Sequence, residues 1–315
     1  MADGLVDAAP RAYPDGAHFG LSLTFDIEMV TNFPYWTSVW DHRKGAIDED
    51  VKAYIRRITA IAAEAGVRLQ WFLLGASLED PDIDYLRALV EGSHALGNHT
   101  YHHVNVKAQT IEQLQVVYRE RPWLAAGRTP REVIQDEVRQ TNEAIQARLG
   151  VSSAGFRTPG GFPTGLHDVP EIQRLLLDAG FTYVSSQYRL KVARERRPEL
   201  ADLMAAACAS IAELQPYRYP SGLLEIPMMG MSDVWAFRVL RLDKAEWLQV
   251  MRREIVFAAA QGLLCSLLFH PAVLASRDPF CETVYVALET AAAQPGRCWH
   301  ATNDAIAQWH APDSG

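Results

Sequence analysis

Along most of this chain, short apolar runs alternate with stretches in which apolar residues recur at helical spacing. The run FGLSLTF at residues 19–25 reads as a first strand. A helical pattern follows at residues 49–65, closed by Gly66, and VRLQWFLL at 67–74 reads as a second strand. A short amphipathic helix at 82–91 leads into a brief strand, Ala95-Leu96-Gly97-Asn98, that ends in a histidine cluster. The longest helical pattern covers 131–149 and stops at Gly150, a residue suited to a left-handed C-cap. Strands at 154–157, 181–185, 223–226 and 263–269 alternate with helices at 169–179 and 244–260, and a last helix covers 303–309. Such alternation predicts a parallel sheet with helices outside it. Roughly seven units, with neither GxGxxG nor GxxxxGK[ST], favour an α/β fold, a distorted (β/α) barrel with about seven parallel strands, over a dinucleotide-binding sheet. No fixed-period repeat or low-complexity linker interrupts the pattern, so residues 1–315 are expected to form a single domain.

Composition narrows the partners. The chain is 49% hydrophobic and 22% charged, a balance that supports a large core. Its net charge of −8 and lack of a dense Lys/Arg run argue against a nucleic-acid or anionic-membrane partner. The basic cluster at 194–197, beside a proline, reads as a solvated approach to a helix. Residues 1–16 lack the basic segment and apolar core of a secretory leader, and no run of about 18 uncharged apolar residues could span a membrane. The expected location is therefore cytoplasmic. There Cys208, Cys265, Cys281 and Cys298, which form no CxxC pair, read as small buried hydrophobes.

In α/β barrels the chemistry sits at the C-terminal ends of the strands. Those ends carry Asp26 and Glu28, then His99, Thr100 and His103, then Arg157, and finally His270. On a helical turn the spacing of His99 and His103 puts both imidazoles on one face, within reach of one ion. One carboxylate added to them makes a His₂-carboxylate site with positions open for water and substrate. His102 points elsewhere on this spacing and reads as structural. Asp26 and Glu28 share one side of a strand, where they repel each other unless a cation intervenes. Metal on Glu28 leaves Asp26 free as a base; the alternative is a pair of solvated loop acids.

Four segments then stand in order: Thr24-Phe25-Asp26-Ile27-Glu28, Gly97-Asn98-His99-Thr100 with His103, Phe156-Arg157-Thr158-Pro159-Gly160-Gly161, and Leu267-Leu268-Phe269-His270-Pro271. Together they resemble the motifs of the polysaccharide deacetylases, carbohydrate esterase family four, and the resemblance runs from Tyr13 to the His270 segment. It implies Asp26 as general base, Glu28, His99 and His103 as ligands of one divalent ion, and His270 as general acid. The ion implied is zinc, with cobalt and manganese as alternatives. Arg157 would hold Asp26 ionised. Asp233, in Ser232-Asp233-Val234-Trp235, is the nearest counterpart of the family's Asp–Trp element and would orient His270; its other reading is a loop or capping aspartate.

The chain departs from the family in having D-x-E where an adjacent aspartate pair is usual. That spacing resembles an intracellular branch that includes small-molecule and cyclic-amide hydrolases and tends to form homo-oligomers. The leading expectation is a metal-dependent amidohydrolase acting on an N-acetylated sugar or small amide. The alternatives are a cyclic amide or ureide hydrolase, with or without metal, and a non-catalytic binding protein. Met228, Met229 and Met231, with Trp235 and Phe237, fit either packing or an apolar pocket. The aromatic stretch at 32–36 is a further pocket candidate, or a subunit contact.

Overall fold

A computed structural model describes residues 12–31, 42–192 and 198–311. The aromatic stretch at 32–36 and the basic cluster at 194–197 lie outside these residues. The strands are β1 (Phe19–Ile27), β2 (Gln70–Leu73), β3 (Ala95–Asn98), β4 (Gly155–Phe162), β5 (Tyr183–Gln187), β6 (Tyr217–Arg218), β7 (Leu224–Glu225), β8 (Leu264–Phe269) and β9 (Cys298–His300). They form one sheet of order β6-β7-β5-β4-β3-β2-β1-β8, with β9 beside β1. Each pairing is parallel except that of β6 with β7.

The sheet curls until its ends meet. The chain beyond β7 bridges Met228 to Tyr188 and Met229 to Leu267 of β8, and the Met229 N–H donates to the Ser266 carbonyl at 2.9 Å. At this seam the Gln215 side chain behaves like a short strand. Its amide nitrogen donates to the Leu264 carbonyl at 2.9 Å and its oxygen accepts from the Leu264 N–H at 3.1 Å. The result is the distorted barrel that the strand–helix alternation predicts.

Helices surround it: α1 (Glu49–Glu64), α2 (Asp84–Glu91), α3 (Val116–Glu120), α4 (Pro130–Leu149), α5 (Pro170–Asp178), α6 (Leu200–Glu213), α7 (Lys244–Gln261), α8 (Pro271–Arg277), α9 (Glu282–Ala292) and α10 (Asn303–Trp309). The two longest, α4 and α7, each begin with a reciprocal capping box, Thr129 with Glu132 and Asp243 with Glu246. Each ends at a left-handed glycine, Gly150 or Gly262. The pattern of the sequence does not reveal α6, because its run of alanines gives little contrast between faces. Residues 105–129, also without a clear pattern, fold into short helical turns that pack Leu114, Tyr118 and Ala125 into a second apolar cluster. No helix among the described residues is long and apolar enough to cross a membrane.

All nine residues of β1 are buried, as a central parallel strand covered on both faces requires. The period of two sends Phe19, Leu21, Leu23, Phe25 and Ile27 toward the helices, where Phe25 stacks on Trp71 with centroids 4.6 Å apart. Ser22, Thr24 and Asp26 face the other way, into the barrel. At its lower end this interior is closed by α10. Ser22 donates to Asn303 at 3.0 Å, Tyr183 donates to Asp304 at 2.7 Å, and the Asp304 N–H donates to Gln70 at 3.3 Å. The Tyr183 ring fits there because Gly155 faces it: a Cβ on Gly155 would lie 1.9 Å from the ring.

Candidate metal and catalytic centre

The upper ends of β1, β3, β4 and β8 bring Asp26, Glu28, His99, Arg157 and His270 together, and the loop after β3 adds His103. The histidine pair converges by a different route from the helical turn expected of its spacing. Thr100 and His103 both adopt left-handed backbone, with φ of 64° and 65°. The loop is pinned by the Thr100 N–H donating to Asn98 at 2.8 Å and by Gly75 N–H donating to the Thr100 carbonyl at 3.0 Å. The two imidazoles still meet edge to face, centroids 5.1 Å apart. His102 turns away and binds Glu137 of α4 at 2.7 Å, the structural placement expected of it.

Three ligand atoms face one another. Glu28 Oε1 lies 3.2 Å from His99 Nε2 and 3.0 Å from His103 Nε2. His99 Nδ1 lies 2.9 Å from the Arg157 carbonyl, which can only accept; Nδ1 therefore carries a proton, and Nε2 is the ring nitrogen turned to Glu28. Burial, and after it the nearby Lys44, push the His103 imidazolium down to about 4, so that ring is neutral near pH 7. Burial alone would raise the Glu28 carboxyl, but Lys44, His103 and His99 together hold it well below the usual range. Tetrahedral zinc with bonds of ~2.0–2.2 Å separates its ligands by ~3.3 Å. Donor chemistry, protonation and spacing thus fit a divalent ion at Glu28, His99 and His103.

The catalytic candidates border this cluster. Fully buried Arg157 donates to Asp26 Oδ1 and to Thr24, each at 2.8 Å, and its nitrogens Nε and Nη2 lie 3.3 and 3.1 Å from the Ser185 hydroxyl. Its guanidinium also stacks 4.1 Å over Phe72, whose ring lies in the space left by Gly97. The other Asp26 oxygen is 3.8 Å from His99 Nε2 and 3.9 Å from His270 Nε2, too far for hydrogen bonds. A reacting atom fits in that gap.

Asp233 grips His270 twice, accepting from its ring Nδ1–H at 2.8 Å and from its backbone N–H at 2.6 Å. Burial alone would lower the His270 imidazolium; Asp233 chiefly, then Glu28 and Asp26, raise it above its ordinary value.

A cavity of about 260 Å³ opens over these groups. Met29, Tyr188, Met228, Val234, Trp235 and Leu268 form its apolar wall, and Arg238 and Lys44 contribute positive charge. Of the methionine stretch, Met228 reaches this wall, whereas Met229, Met231 and Phe237 are buried in the main core. Lys44 and Arg238 are the residues that the sequence pattern misses. Lys44 sits in a polar loop, and no local spacing ties it to Glu28.

A barrel with a carboxylate–histidine cluster, a buried arginine–aspartate pair and a histidine–aspartate pair at one mouth defines a hydrolase-type centre. The family model for polysaccharide deacetylase matches residues 20–184, over half of the chain. The chain belongs to the polysaccharide deacetylase family, hydrolases acting on carbon–nitrogen amide bonds. No curated protein matches the sequence. Among solved structures, the chain is similar to PuuE allantoinase, with 15% identity, coverage of 100% of this chain and 99% of that one, and a TM-score of 0.66. It is also similar to a Mycobacterium smegmatis protein assigned to the polysaccharide deacetylases, with 18% identity, 97% and 94% coverage, and a TM-score of 0.64. A Pseudomonas aeruginosa PAO1 protein of the same assignment gives 15%, 96% and 95%, and 0.64. At these identities the likeness establishes the shared fold.

Proposed function

We propose that the chain is a metal-dependent amidohydrolase that removes an acyl group from an acetylated amino sugar or a related small amide. The observation carrying this reading is the convergence of Glu28, His99 and His103 around one point beside Asp26 and His270. Glu28, His99 and His103 would hold the ion, zinc before cobalt or manganese. When bound, such an ion polarises an acyl oxygen and acidifies water.

The residues of the chain supply the proton transfers. Asp26, held by Arg157 through one oxygen, offers the other to the attacking water as general base. His270, fixed through Nδ1 by Asp233, presents a protonated Nε2 to the departing nitrogen as general acid. The cavity lies just under the roughly 300–1,000 Å³ usual for small-molecule sites, in keeping with a small substrate rather than a polymer.

A second reading, hydrolysis of a cyclic amide or ureide, is favoured by the Lys44 ammonium on Glu28, which supplies positive charge at the centre with or without a metal. The fold shared end to end with a structure named allantoinase accords with it.

Metal analysis and turnover separate these readings. We expect about one zinc or similar ion per chain, lost in His99→Ala, and a fall in kcat of ~10²–10⁴-fold in Asp26→Asn, the usual worth of a general base. N-acetylhexosamines and cyclic amides should be screened with and without chelator. Turnover that survives chelation fully would exclude the metal-dependent mechanism.

A further inference from the structure

Lys44 has a position unusual for a lysine beside a candidate metal centre. Its ammonium contacts Glu28 Oε2, and Nζ lies 3.4 Å from His103 Nε2. The side chain is only 9% exposed and that of Glu28 10%, so this is no solvated surface pair. The backbone around it is anchored. Lys44 forms an antiparallel bridge with Met29, and the Gly45 N–H donates to the Glu28 carbonyl at 2.7 Å. Gly45 itself has φ +89° and presses so closely on Ala76 that a Cβ would lie 2.4 Å from the alanine Cβ. The lysine is therefore delivered to Glu28 by the same ladder that positions Glu28.

This placement sets a lysine ammonium on the carboxylate that is proposed to hold a divalent ion. Glu28 turns Oε1 to the histidines and Oε2 to Lys44, so the ammonium touches one proposed ligand and approaches a second. Groups behind histidine ligands usually raise their basicity by accepting a hydrogen bond, whereas a carboxylate ligand can only accept one. A lysine does the reverse: it draws density from the carboxylate and repels an incoming dication across a few ångströms of poorly hydrated protein. The same ammonium has a use when no metal is bound, because a buried carboxylate without a partner is costly.

We infer that Lys44 is a built-in cation of the Glu28 side, which a divalent ion must displace, and that it sets how tightly the centre takes metal. The inference rests on the proposed ligand set of Glu28, His99 and His103. Because the backbone at 44–45 is fixed, displacement means rotation of the side chain away from Glu28. Loading of the site then becomes reversible, with the lysine compensating Glu28 in one state and the ion in the other.

The experiment is a competition titration of chelator-stripped protein with Zn(II), and with Co(II) for its visible spectrum. It compares wild type, Lys44→Met, Lys44→Gln, Lys44→Arg and His99→Ala. Both neutral variants should bind with unchanged stoichiometry but at least ~10-fold more tightly, the order expected when one charge beside a dication is removed. Lys44→Arg should stay near wild type, and His99→Ala should lose binding. Equal or weaker binding by both neutral variants, with stoichiometry kept, would overturn the role of Lys44 and leave the metal centre standing. Absence of binding in every form would instead overturn the centre, and the inference with it. A measurement without substitution serves as a check. After reductive ¹³C-methylation of the lysines, the Lys44 resonance should move on adding zinc; a resonance that stays fixed counts against displacement.

Discussion

The two ends of the barrel interior are both polar and both buried, yet they are built on opposite terms. At the lower end Ser22 donates to Asn303, and Tyr183 to Asp304, in hydrogen bonds that tie the barrel wall to α10. At the upper end Arg157, Asp26, Glu28 and the histidines carry charge or lone pairs aimed at a cavity. Hydrogen bonds between side chains of two elements fix those elements to each other. Groups held by one partner while the other side stays open to a ligand are the ones the proposed function draws on. Arg157 illustrates this: it fixes one Asp26 oxygen, and the second is left 3.8–3.9 Å from its neighbours.

The sharpest test of this contrast is Arg157→Ala. It leaves Asp26 buried beside Glu28 with its ion pair removed, so unfolding free energy should fall by ~3–5 kcal/mol and turnover should collapse with it. Chemical denaturation and kcat measured on the folded fraction give both numbers. A variant of near wild-type stability would show that the Arg157–Asp26 ion pair does not hold the upper end together.

Smaller in size but more specific is Asp233→Asn. Asp233 is the chief group raising His270, so the alkaline limb of the kcat–pH profile should move to lower pH in the variant. Stability follows the same sign. A histidine with a raised folded pKa contributes stability that is complete below its unfolded value of ~6.5 and lost as pH rises through the folded value. The difference in stability between wild type and variant should therefore shrink above that pH. A difference that does not change with pH would mean that Asp233 acts on the backbone N–H of His270 and not on its ring.

The smallest effect belongs to the lower end. Tyr183→Phe should cost ~1–3 kcal/mol, because Asp304 loses the hydroxyl that it accepts from. Activity per folded molecule should be unchanged. A drop in kcat beyond about twofold, larger than remote and independent sites produce, would show that the two ends are coupled.

Much of this arrangement was legible in the sequence, and the reasons differ by residue. A polar residue at the end of an apolar run stands out, and Asp26, His99, Arg157 and His270 were read that way, although β1 runs on to Ile27 and β4 continues past Arg157 to Phe162. The spacing of His99 and His103 also pointed to a pair. The geometry behind it was different, since left-handed backbone at Thr100 and His103, not a helical turn, closes the loop. Local periodicity carries no sign of that. Nor could it reveal Lys44, which meets Glu28 across a ladder; the contact of Asp233 with a histidine 37 residues later was expected from the family resemblance alone. In α6 the alanines blurred the faces, and β6 and β9 are too short to show alternation.

The seam of the barrel has a consequence for the chain in solution. Where Met229 meets Leu267 the sheet is joined by an isolated bridge, and beside it one glutamine amide, that of Gln215, satisfies both backbone groups of Leu264. An unprotected strand edge is a template on which other chains can add strands. Gln215 therefore works as a stopper: it fills both backbone pairing positions of Leu264, so no open edge is left at that point of the seam for a further strand to take.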